Sequence, residues 1–453
     1  MSVPHRRTLG ALAVLPLLLL PAACGGSSAD ASKDAESITK VKDGQMKGVK
    51  IATADFFGDC SDAIGKNTDL AKAVDECSTF QTLINKFNAE NKFGITVTQQ
   101  GADWKSFYDS LNAAFAAKQP PDVTLMHESN IPDYSSRGLL LPLGSDYKVV
   151  GIDPSDLTDP ATSAVTVDEK IYAVPFDEHA NLVHLNMDLM KQAHLVKPDG
   201  SPILPTSPAE LKKQAAQFKS ATGMQYMAWG NDFNIPFRVF STLVSQQGKA
   251  VVTDDGKVQI DTPESHNALT LIKDLYSSGI ADPKQTYDSS QQAWLNGKVG
   301  MLVNGTWPVN QYVNQTTFKY EATDFPTLYG QPGVWANSHT WVIPVQQDGD
   351  PVKYRAALEF AAWMYDHDKD WALGSGHLSV RKSVLASSAY KSAPQRANYV
   401  ATADNAALVP QIVGWQGAED DLQHAIEKVW LSGTSVDSAL SAAQSQVEQQ
   451  LQN

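Results

Sequence analysis

The hydrophobic pattern of residues 49–126 alternates between strand and helix spacing, and this alternation limits the fold more than any other feature of the chain. Residues 49–54 (VKIATA) make a first predicted strand. Residues 79–90 then place Phe80, Leu83, Ile84 and Phe87 on one helical face, and residues 95–98 (ITVT) return to a strand. Phe107, Leu111, Ala114 and Phe115 mark a second helical face, Pro120-Pro121 breaks it, and residues 122–126 (DVTLM) make a third strand. Helices inserted between strands connect parallel neighbours and cover the sheet, so an α/β fold is expected, with ligands at the carboxyl ends of its strands. Later helices are clearly punctuated. Ser207-Pro208-Ala209-Glu210 supplies a capping serine, a first-turn proline and a glutamate that caps back. Asp350-Pro351 opens another, whose inner face is Ala357, Leu358, Phe360, Ala361 and Met364. A third runs from Asp261-Thr262-Pro263 to Gly279 and turns Leu269, Ile272 and Leu275 inward.

At 453 residues the chain is long enough for two or three domains. With 42% hydrophobic and 19% charged residues it has the make-up of a folded soluble protein, and a disordered, collagen-like or multi-spanning membrane chain is excluded. Lys and Arg number 36 against 50 Asp and Glu, and no basic stretch occurs beyond the extreme N-terminus, which argues against a nucleic-acid partner. At that N-terminus, His5, Arg6 and Arg7 precede an apolar run at residues 9–20 that is too short to span a bilayer, the pattern of a secretory signal. Pro21-Ala22-Ala23-Cys24 resembles a bacterial lipobox, with Pro21 standing where leucine is usual. The resemblance implies removal of residues 1–23 and a lipid on Cys24, which would anchor the protein at the extracellular face of the cytoplasmic membrane; ordinary cleavage would release it. Residues 24–48, rich in Gly, Ser, Ala, Asp and Lys, are expected to be a flexible tether. In an oxidising compartment Cys60 and Cys77 either pair or remain two buried thiols.

Five segments, in one order, resemble the family 1 extracellular solute-binding proteins that serve sugar-uptake ABC transporters. They are PDV (121–123) with LLLPL (139–143), KIYAVPF (170–176) with LNMDL (185–189), LPTSPAEL (204–211), AWLNGKVGMLVNGTW (293–307) and GHLSVRKS (376–383). Ser207 stands where the family often has tryptophan. The fourth segment is the most telling: a helix ends at Gly297, a buried strand carries Val299, Met301 and Val303, Asn304-Gly305 turns the chain, and Trp307 is delivered at the strand end. The resemblance implies a two-lobed, periplasmic-binding-protein-like fold, a Venus flytrap with hinge crossovers at residues 171–176 and 335–344. It implies one lobe of residues 45–170 plus 335–372 and a second of 171–334 plus 373–453. It implies further that Trp307 lines a cleft for a sugar or oligosaccharide, and that a monomer without cofactor delivers this carbohydrate to the permease subunits of an ABC importer.

A sugar needs flat apolar faces for stacking and paired donors and acceptors for its hydroxyls, so polar and aromatic residues just after the expected strands are the ligand candidates. His127 and Glu128 follow the third strand. Asp177 follows the first crossover with Glu178 and His179; together with His184 these suggest a metal site, but the helix-spaced pattern of zinc motifs is missing and no metal is expected. Trp229-Gly230-Asn231-Asp232 is an aromatic-plus-polar turn that offers Trp229 and Asp232. Trp335, Asn337, His339 and Trp341 share one side of the second crossover if it is extended, and His339 and Trp341 are assigned to the ligand. Arg381 can donate to a hydroxyl pair or an acid group. Bland alternatives accompany these: a solvated loop for His127 and Glu128, a core position for Trp307, a surface ion pair for Arg381. No Gly-x-Ser-x-Gly elbow, phosphate loop or His-Glu-x-x-His occurs, so no enzyme activity is expected. The alternative is a secreted glycoside hydrolase, with Glu128 and either Asp177 or Asp232 as its two carboxylates.

Overall fold

Nine strands form one mixed sheet in the computed structural model, which describes residues 28–253 and 255–452. They are β1 (Lys50–Asp55), β2 (Thr96–Gly101), β3 (Val123–His127), β4 (Ala173–Asn186), β5 (Gln225–Ala228), β6 (Val299–Gly305), β7 (Tyr320–Asp324), β8 (Val334–Val342) and β9 (Ala406–Leu408). Their order is β2-β1-β3-β8-β4-β6-β5, with β9 beside β8 and β7 beside β4. β1 is parallel to β2 and β3, as the intervening helices Glu76–Glu90 and Trp104–Ala116 require, and β5 is parallel to β6. β4 and β8 run antiparallel to each other and tie these two parallel groups into one sheet.

β4 is longer than the pattern suggests. Asp177, Glu178 and His179, expected after a crossover ending at Phe176, lie inside a strand of 14 residues. β8 pairs with its first half, and β6 and β7 flank its second half, so backbone pairing is handed over without a break and nothing stops the strand. These polar residues and Asn337, Ser338, His339 and Thr340 of β8 form a buried polar waist. Apolar cores lie on either side of it. One gathers Ile51, Phe80, Leu125, Phe176, Trp341 and Phe360. The other gathers Ala180, Phe240, Leu269, Met301, Trp335 and Ile426. The waist also carries an irregularity, since the register of β4 against β8 shifts between His339 and Thr340.

The tether expectation is corrected over most of its length. Ser28–Ile38 is a helix packed against the helix Pro351–Asp366, and Ala31, Ala35, Ile38, Val41 and Met46 are buried. Ala31, Ala35 and Ile38 recur at helical spacing; the alanines hide this stripe in composition but let the two helices approach closely. The expected signal segment and Cys24 lie outside the described residues. Cys60 and Cys77 are joined in a disulfide with Cα atoms 5.9 Å apart, which ties the chain before Ser61–Ile64 to the first turn of Glu76–Glu90. Among the described residues no helix is long and apolar enough to cross a membrane.

Candidate functional site

Between the two cores lies a cleft of about 1340 Å³, from which a pouch of about 170 Å³ reaches toward the waist. Phe56, Trp104 and His127 border both spaces from the side of the first core, and Phe233 and Arg238 from the side of the second. Phe56 and Phe57 follow β1 directly. Asp55 fixes that turn by accepting from the Phe57 backbone N–H at 3.1 Å and from Gln99 Nε2 at 3.0 Å.

Trp307 lines the pouch just beyond β6. Gly305 makes this placement possible, because a Cβ there would stand 1.8 Å from the indole. The indole Nε1 donates to the Tyr287 hydroxyl at 2.8 Å, and Asp232 accepts from the Tyr287 backbone N–H at 2.6 Å. Gly230 allows the Trp229–Asp232 turn to approach that closely, since a Cβ would come within 2.7 Å of the Tyr287 backbone. The aromatic-plus-polar turn therefore serves to hold Tyr287, which in turn holds Trp307.

At the mouth, Trp104 is 41% exposed and meets Phe233 edge-on across the cleft, with ring centroids 4.4 Å apart. Phe233 and Asn234 both adopt φ of 57°, an uncommon conformation for residues other than glycine. Asn234 is held there through its side-chain amide, which donates to Glu419 and Asp420 at 3.1 and 2.8 Å. One turn on, the Arg238 guanidinium lies 4.2 Å from the Trp335 ring centroid and 5.8 Å from that of Trp307, and its Nε has no hydrogen-bond partner.

Histidines form the floor. His179 and His339 stack at 4.1 Å, and His127 lies 4.8 Å from His339. His339 Nδ1 is 2.9 Å from Asp177 Oδ2, which also accepts from Trp371 Nε1 at 2.7 Å. Burial pushes His127 and His179 well below the usual imidazole value, His339 to about 3 and His377 to about 4. Burial raises Asp177 to about 6, against the pull of His377 and Trp371. The floor is thus neutral imidazoles around one carboxyl, and the His339–Asp177 contact is a hydrogen bond of a neutral ring. Such a surface offers both donors and acceptors beside aromatic faces.

Residues 82–398 match the family model described as bacterial extracellular solute-binding protein. The chain belongs to that family. A binding protein of Brucella abortus is 24% identical to this solute-binding protein over 379 residues, 80% of this chain and 87% of its own. The maltodextrin-binding protein of Bacillus subtilis is 23% identical over 292 residues, 62% of this chain and 66% of its own. Among solved structures, the GacH receptor of Streptomyces glaucescens, studied unliganded and with acarbose and an acarbose homolog, superposes with a TM-score of 0.76 at 21% identity, covering 89% of this chain and 99% of that one. That likeness gives this solute-binding protein the two-lobed fold.

In this solute-binding protein the sequence candidates separate into those brought to the cleft and those placed elsewhere. Trp307, His127 and His339 come together at the pouch. Asp177 stands behind His339, fully buried. Trp341 shares the side of β8 that carries His339 but lies two residues further along, about 7 Å by strand geometry, beneath Phe80 and Phe360 in the first core. Trp229 is in the second core, its Nε1 donating to Tyr276 at 2.6 Å. Glu128 begins the buried turn after β3 and does not border the cleft; both its oxygens lack partners, and burial raises it well above the usual carboxyl value. Arg381, assigned to the ligand, instead makes its bland alternative, a 2.9 Å ion pair with Asp156. Trp104, Phe233, Arg238 and Tyr287 also line the cleft or its pouch, and the strand-end rule does not reach them because they sit at or beside the first turns of helices.

Proposed function

We propose that this protein is the receptor of an ABC importer, capturing a sugar or oligosaccharide between its lobes and delivering it to the permease without altering it. The observation that carries this reading is the cleft itself: Trp104 and Phe56 on one side and Trp307 and Phe233 on the other offer flat faces, with imidazoles beneath them. A pyranose has apolar C–H faces for such rings and an equatorial belt of hydroxyls for the imidazoles and the Arg238 guanidinium. Membership of a solute-binding family and the names of the maltodextrin-binding relative and the acarbose-bound receptor support carbohydrate as the solute. Trp307, His127 and His339 remain the proposed contacts, joined by Trp104, Phe233 and Arg238. The lobes divide within β4 and β8, where one apolar core gives way to the other, and the register shift at His339 is a natural place for the sheet to bend. Ligand favours the closed form because only there do both lobes touch it. The protein acts as a monomer, and a lipid on Cys24 keeps it at the extracellular face of the cytoplasmic membrane.

The test is a thermal-shift screen of the mature protein against mono-, di- and oligosaccharides, polyols and amino acids. A solute present at a hundred times its Kd adds about 2.7 kcal/mol to stability. A selective shift with a sugar recovered intact is the expected result. Cleaved sugar would replace this reading with a hydrolase, and a shift confined to non-carbohydrates would replace the solute class.

A further inference from the structure

Asp177 and His179 lie two residues apart on one face of β4, and β8 brings His339 opposite Asp177. His377, just after the helix Asp368–Ser375, completes a buried group in which one ligand atom of each residue lies within 4.8 Å of all the others. No other such group occurs among the described residues. Three of its polar atoms are left over: Asp177 Oδ1, His179 Nδ1 and His377 Nε2 are buried without a hydrogen-bond partner. They nevertheless converge, with His179 Nδ1 at 3.5 Å from Asp177 Oδ1 and His377 Nε2 at 3.9 Å from Asp177 Oδ2. Leaving buried polar atoms unpaired costs stability, and a native fold keeps such atoms only where something else satisfies them.

We propose that Asp177, His179, His339 and His377 bind one divalent transition-metal ion of the zinc type at the floor of the pouch. Three imidazoles and a carboxylate are a donor set suited to Zn²⁺, whose ligand distances of about 2.0–2.2 Å need only a modest contraction of the group. Partners behind the ligands hold their orientation: Trp371 Nε1 donates to Asp177 Oδ2 at 2.7 Å, and His377 Nδ1 lies 3.0 Å from Ser375 Oγ. The pouch gives the ion a way in, because His179, His339 and His377 all border it. Asp177 supplies one carboxylate, and Glu76, whose carboxyl is pushed well above its usual value by burial, stands beside the site with Oε1 at 3.4 Å from His377 Nε2.

Tag-free mature protein stripped with a chelator and titrated with ZnCl₂ should bind one equivalent in isothermal calorimetry, and Co²⁺ should give the intense visible bands of a tetrahedral site. H179Q and H377Q should each weaken Zn²⁺ on the order of 100-fold and S375A about tenfold, with folding followed by circular dichroism. Absence of saturable one-to-one binding by the wild-type protein overturns the proposal, as does a Zn²⁺ affinity within about threefold of wild type in a folded H179Q/H377Q double variant. The wild-type stoichiometry and the Co²⁺ spectrum decide the matter if the variants do not fold. No sugar is present in this titration, so its outcome is independent of the carbohydrate reading.

Discussion

The indole of Trp307 rests over Gly305 and is tied by its Nε1 to Tyr287, so its orientation in the pouch is set before a ligand arrives. Stacking on a ring already held costs little side-chain freedom. Trp307→Ala is expected to weaken sugar binding by about 2 kcal/mol or more, roughly thirtyfold, in a calorimetric titration, with the far-ultraviolet circular dichroism retained. Unchanged affinity would remove Trp307 from the contacts. Asp55 supports the opposite wall, and its burial raises its pKa from the ordinary 3.8 to about 7, outweighing the hydrogen bonds from Gln99 and Phe57. A folded pKa above the unfolded one means that the contribution is complete below about pH 4 and is lost as pH rises to about 7. Asp55→Asn removes that loss. It should raise stability by on the order of a few kcal/mol at pH 8 and by much less at pH 4, read as the difference in Tm between variant and wild type across pH; a difference independent of pH would mean that the Asp55 carboxyl stays ionised in the fold. The strand-end position of Trp307 was legible in the sequence because a turn signal after a buried strand announces it, whereas its place in a cleft was implied by the family resemblance. Phe233 was not legible, since its position rests on two consecutive left-handed residues and on Glu419 and Asp420, distant in the chain.

Elements were more legible than residues wherever the apolar period was unbroken. The strands expected at residues 49–54, 95–98 and 122–126 appear as β1, β2 and β3 with ends shifted by one to three residues, because chain ends of strands are decided by partners and not by pattern. β4 hides its true length for the same reason: a run such as Asp177-Glu178-His179 looks like a strand terminus, yet continuous pairing with β8, β6 and β7 keeps it extended. The histidine floor depends on that register and is invisible in any local window. The Cys60–Cys77 bridge acts at this scale, fixing the first turn of Glu76–Glu90, which carries Glu76 to the pouch. Cys60→Ser with Cys77→Ser is expected to cost about 3 kcal/mol in the chain-entropy account of a loop this short, measured by urea unfolding. The same loss should follow when reductant is added to the wild-type protein; an unchanged midpoint in both experiments would mean that the bridge constrains nothing the fold does not already hold.

At the scale of the whole molecule, two apolar cores share one sheet, and among the described residues only β4, β8 and the chain near Leu378 and Val380 pass between them. With so few connections, relative motion of the lobes is the expected way to open the cleft, and the register shift at His339 lies in the same waist that forms the floor of the pouch. On the proposed reading, closure and recognition would use the same residues. Outside the waist, the lobes meet at Trp104 and Phe233 across the mouth, with Lys105 Nζ 4.9 Å from the Phe233 ring. A contact made over the ligand after it enters should govern escape more than entry, since docking geometry sets association while the closed state sets residence time. Trp104→Ala is therefore expected to raise the dissociation rate of bound sugar by about tenfold, the loss of about 1.4 kcal/mol from the closed state, while the association rate changes by less than about threefold. Stopped-flow tryptophan fluorescence with rising sugar concentration separates the two rates. A slower association with unchanged dissociation would instead place Trp104 in the encounter with the sugar and leave the mouth contact without a role in holding the lobes closed.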